Sequence, residues 1–80
     1  MILREAIALR ILEICTENGY TVNKLSTVCG ITQSTLNNII NTGSKNPTVS
    51  TVKKVCDGVG ITLAHFFDSP LFENLDQEVQ

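Results

Sequence analysis

The polar side chains best able to read another molecule collect in the one part of this chain that lacks carboxylates. Thirty-nine consecutive residues, Asn18 to Cys56, contain no Asp or Glu, and they carry Lys24, Lys45, Lys53 and Lys54. All eight acids and both arginines, Arg4 and Arg10, lie outside, so the net charge of −2 divides into +4 within and −6 beyond. Inside the stretch, Gln33, Ser34, Thr35, Asn37, Asn38 and Asn41 crowd one segment. A Gln or Asn amide donates and accepts together, matching N6 and N7 of adenine, and a hydroxyl serves either role. Amides and hydroxyls without carboxylates suit a polyanion with readable edges, which points to double-stranded DNA. The overall acidity, with a pI of about 5.1, argues the other way, because a basic footprint is usual for nucleic-acid binding. Screening over roughly 8 Å at physiological salt makes the local charge the relevant one.

Other chemistry finds little support. Cys15, Cys29 and Cys56 are widely spaced and form no CxxC pair, so they read as buried thiols in a reducing compartment and not as a metal site. His65 has no second ligand or acid near it in sequence. No Ser or Thr has a credible base, and no glycine loop could cradle phosphate. The expectation is no catalysis, no metal, no cofactor and no small-molecule ligand. Lys53 and Lys54 read as a solvated helix face.

The elements that must position the polar segment are helical. Leu3, Ile7, Ile11, Ile14 and Cys15 recur at three- and four-residue steps, which predicts a first helix over residues 3–18 with a buried stripe. Arg10, Glu13 and Glu17 share its expected outer face, with Ile2 and Leu9 near the polar side. Asn18-Gly19 stops it. Thr21 is a cap for a second helix from Val22 to Cys29, with Leu25, Val28 and Cys29 inward. Gly30 ends that helix. Thr32 caps a third, from Gln33 to Asn41 or Thr42, with Leu36, Ile39 and Ile40 inward. Turn residues predict a loop over residues 42–47. Thr48 caps a fourth helix to Val59, with Val52, Val55, Cys56 and Val59 inward, and Gly60 closes it. Thr62 opens a fifth carrying Leu63, Phe66 and Phe67 inward. Pro70 fits a helical first position, so a further C-terminal helix is expected there, with Leu71, Phe72, Leu75 and Val79 on its apolar side. The glycines read as helix ends. Eighty residues with 42% apolar side chains make one small all-α domain, a compact bundle of five short helices. Residues 1–68 form the domain proper and residues 69–80 an extension.

Two helices joined through Gly30-Ile31-Thr32 fit a helix-turn-helix. From about Tyr20 to Phe67 the chain resembles the Cro/repressor-type, or Xre, family of lambda-repressor-like DNA-binding domains. The matching elements are Leu25-Ser26 with Gly30-Ile31-Thr32-Gln33-Ser34-Thr35-Leu36, the Gly43 to Asn46-Pro47-Thr48 loop, Val52 with Val55-Cys56, and Gly58-Val59-Gly60-Ile61-Thr62-Leu63 with Phe66-Phe67. Val22 stands where the family commonly has Gln. The Gly30 to Gly43 spacing is one residue longer than the commonest, which predicts a slightly extended third helix or exit. The family places its third helix in the major groove. The resemblance therefore implies base contacts for Gln33, Ser34, Asn38 and Asn37. It implies backbone phosphate contacts for Thr21, Thr32, Thr35, Lys24, Asn41, Ser44, Lys45 and Asn46.

The function so implied is a sequence-specific transcriptional regulator, a dimeric repressor reading DNA with helix 3. The competing reading is a protein-interaction module, antitoxin-like, with weak or no DNA binding. Family members bind paired half-sites, which calls for a homodimer. The Leu71, Phe72, Leu75 and Val79 stripe either folds onto its own core or meets a second copy. Arg4, Glu5, Arg10 and Glu13 interrupt every early apolar run, so neither a signal peptide nor a membrane span is expected, and the location is cytoplasmic.

Overall fold

Among the described residues, threonine starts four of the five α-helices and glycine stops three of them. The computed structural model describes residues 1–42 and 46–78. Among these residues lie α1 (Leu3–Asn18), α2 (Val22–Cys29), α3 (Gln33–Asn37), α4 (Val49–Val59) and α5 (Leu63–Phe67), with no strand. α3 runs on into a π turn at Asn38–Thr42, and a 3-10 turn at Pro70–Phe72 follows α5.

Each helix from α2 to α5 begins the same way. The hydroxyls of Thr21, Thr32, Thr48 and Thr62 accept from the backbone N–H groups of Lys24, Thr35, Thr51 and His65 at 3.0–3.2 Å. Each bond satisfies one of the amides that a helix start leaves unpaired. α1 has no side-chain cap, but Glu5 Oε1 accepts from Ile2 N–H at 3.1 Å. At the exit of α2, Gly30 has φ of 68°, a left-handed geometry that a β-carbon resists. Gly30 N–H donates to Thr27 O at 3.4 Å, and Ile31 N–H to Ser26 O at 3.0 Å. This double closure ends the helix and turns the chain into α3.

The helices enclose one core. Ile7, Ile11, Ile14 and Cys15 meet Leu25 and Cys29, then Leu36 and Ile39, Val52, Val55 and Cys56, and Phe66. α1 is packed by α2, the π turn and the 3-10 turn. The three thiols are free and buried, as the sequence predicts. Burial raises each above the ordinary thiol range, and for Cys29 the neighbouring Cys15 and Cys56 add to it. They are therefore held protonated and inert.

Four expectations need correction. Arg10 does not lie on a solvent face; it is 5% exposed. Its Nε donates to Phe66 O at 2.7 Å and its Nη2 to His65 O at 3.2 Å, while Nη1 reaches Glu13 and Glu17 at 3.3 and 3.4 Å. α5 covers that side of α1, and the guanidinium supplies donors to its last carbonyls, His65 O also accepting from Asp68 N–H at 3.2 Å. Gly58 is not a helix end. It lies inside α4, and a β-carbon there would press into Cys29, whose Cα would be 2.9 Å away. Phe67 is 39% exposed rather than inward, with its ring edge-on to Phe66 and Phe72 at 4.9 Å. The helix expected from Pro70 is a single 3-10 turn, after which Glu73 is extended and Asn74 takes a φ of 58°. Phe72 packs back onto the core, 6.1 Å from the Phe66 ring, and Leu71 and Leu75 are half-buried. Val79 lies outside the described residues.

Candidate nucleic-acid interface

The two helices around Gly30 are fixed from inside by small and branched side chains. Leu25 and Leu36 are both fully buried, one from each helix. Ser26 is 2% exposed and turns its hydroxyl inward along α2, donating to Asn23 O at 2.7 Å. α2 in turn lies close along α4, where Gly58 leaves room for Cys29. This framework holds the start of α3 at the surface.

Gln33, Ser34, Thr35 and Asn38 are exposed there, and Asn37 is half-buried. Their amides and hydroxyls form the uncharged tip that the sequence singles out. Thr32 caps the tip, and its hydroxyl donates to Thr35 Oγ1 at 2.8 Å. The Thr32 hydroxyl is thereby engaged both as donor and as acceptor. A second pair repeats the arrangement at α4, where Thr48 Oγ1 and Thr51 Oγ1 lie 3.0 Å apart. The two starts face a common groove of about 220 Å³, lined by Thr35 and Asn38 on one side and Asn46, Thr48 and Thr51 on the other. Among the described residues, no charged side chain lines it. Thr48 and Thr51 were not among the sequence candidates. The repeated Thr-x-x-Thr spacing at 32–35 and 48–51 was the available signal.

The remaining candidates spread outward. Thr21 and Lys24 are exposed at the start of α2, and Asn46 is exposed before α4. Asn41 is exposed but stands apart from the tip, in a groove against α1. Ser44 and Lys45 lie outside the described residues. Of the α4 lysines, Lys53 is paired with Asp57 four residues on, and Lys54 is exposed with no ion pair among the described residues. Val22, standing where the resemblance leads one to expect Gln, is half-buried against the core.

A family model described as helix-turn-helix matches residues 11–66. The chain belongs to that family, in its Cro/C1-type, Xre-like form. The helix-turn-helix domain is also similar to a solved structure, the crystal structure of the prophage Lp1 protein 11. The TM-score is 0.81 at 34% identity, over 94% of this chain and 100% of the other. No match is found among curated proteins. Membership makes this a DNA-binding domain of the kind used in transcription regulation. No helix among the described residues is long and apolar enough to cross a membrane.

Proposed function

We propose that this helix-turn-helix protein is a sequence-specific transcriptional repressor that binds DNA as a homodimer. α3 enters the major groove by its leading end. Gln33, Ser34, Asn37 and Asn38 read base edges there, and Thr21, Lys24, Thr32, Thr35 and Asn46 hold backbone phosphates to fix the register. Repression is by occupancy of the site. One observation carries this reading: an uncharged, exposed amide-and-hydroxyl tip on a helix whose opposite side is locked in the core by Leu36. Two copies give the half-site pairing that such domains use. Phe72 is already engaged by its own domain, so the pairing surface lies elsewhere than at that ring.

Site selection from random duplex DNA tests the proposal. A defined half-site repeat should emerge, and Gln33→Ala should cost about 1–3 kcal/mol at one base pair with little change on unrelated DNA. Failure to select any site sinks the proposal in favour of a protein-interaction module.

A further inference from the structure

The π turn at Asn38–Thr42 interrupts the helix that carries the amide tip. In an uninterrupted α-helix, Asn41 would follow Ser34 by seven residues, Asn37 by four and Asn38 by three. Those spacings place all four on one stripe. A π turn closes its hydrogen bond one residue later than an α turn. Residues beyond it are set back by up to one position, about 100° of rotation at 3.6 residues per turn. The structure shows the result. Ile39 is 5% exposed in the core and Ile40 is half-buried against it. Asn41 lines a groove of about 310 Å³ with Ile40 and with Met1, Glu5, Leu9 and Leu12 of the α1 side. Asn38, before the shift takes effect, lines the other groove with Thr35, Asn46 and Thr51.

We infer that the π turn ends the base-reading stripe at Asn38 and turns Asn41 away from DNA, so that specificity is set by the residues from Gln33 to Asn38. This rests on the DNA-reading function proposed above. The turn's role is to choose which amide is read, with no change in composition.

The experiment is site selection and binding with wild type, Asn38→Ala, Asn41→Ala and a deletion of Asn41. The deletion removes the extra residue and lets an α turn close. Asn41→Ala should select the wild-type site with affinity within about twofold, whereas Asn38→Ala should lose about tenfold or more at one base pair. The deletion should keep the helical circular-dichroism spectrum and change the base preferred at one position. A base preference lost in Asn41→Ala, or an Asn38→Ala protein that reads as wild type, overturns this inference alone. A folded deletion variant with unchanged selection does the same. A wild type that selects no site overturns both this inference and the function beneath it.

Discussion

Arg10 does for the end of α5 what no residue of α5 can do for itself. A helix C-terminus leaves carbonyls short of partners; Phe66 O receives Arg10 Nε, and His65 O receives Nη2 beside the Asp68 N–H. The charge is balanced by Glu13 and Glu17, both about half exposed. The bonds to the carbonyls therefore matter more than the ion pairs, since exposed carboxylates add little. Arg10→Ala should lower stability by about 1.5–3 kcal/mol, while Glu13→Gln should cost less than about 1 kcal/mol. Urea denaturation of the two variants checks the order. Arg10 was not legible in the sequence. Its spacing with Glu13 and Glu17 gives a solvent face, and nothing local says that α5 returns to cover it fifty-five residues later. The amides of α3 were legible for the opposite reason. Exposed polar side chains on a helix start keep their local surroundings, so their types alone suggest what they can touch.

At the scale of elements, what is written in neighbouring residues was readable and what depends on a crossing was not. Threonine caps at 21, 32, 48 and 62 and the turn at Gly30 follow from bonds spanning at most five residues. α1, α2, α4 and α5 accordingly lie where the pattern predicts, whereas α3 starts as predicted but ends at Asn37, where the π turn takes over from the α-helix expected to reach Asn41 or Thr42. The close passage of α2 over α4 at Gly58 has no local signature, because a glycine near a helix end looks like a stop signal. The π turn was visible only as one surplus residue before Gly43, and its position within the helix was not. Gly58→Ala should lower stability by about 1–3 kcal/mol through overpacking against Cys29. Adding Cys29→Ala should restore only part of that loss, because the Cys29 backbone remains 2.9 Å from the new methyl carbon. Thermal unfolding of the single and double variants measures it.

For the whole molecule, charge is arranged rather than accumulated. The acid-free stretch supplies α2, α3 and most of α4, while the acids sit on α1, the end of α4 and the tail. Few lysines are available for phosphate, and Lys53 is engaged by Asp57. The salt dependence of DNA binding should therefore be shallow. Each phosphate neutralised contributes a slope of about −0.9 in log affinity against log salt. Lys24→Ala should make that slope shallower by about one per protomer, and Lys53→Ala should leave it nearly unchanged. Titrations across a salt series distinguish the two. The all-helical architecture was readable at this scale because an eighty-residue chain with regular three- and four-residue apolar steps has few other ways to bury them. The fate of the tail was not, since Phe72 could close on its own domain or on another with the same sequence.

The threonine-started helices also bear on how quickly the protein reaches its working shape. Each cap joins residues three apart, so segment limits can be laid down before distant parts of the chain meet. Helical domains dominated by such near-neighbour pairing fold in microseconds to milliseconds. Folding of a freshly made copy would then be fast, and meeting a second copy, which depends on concentration, would be the slower step toward the proposed DNA-binding dimer.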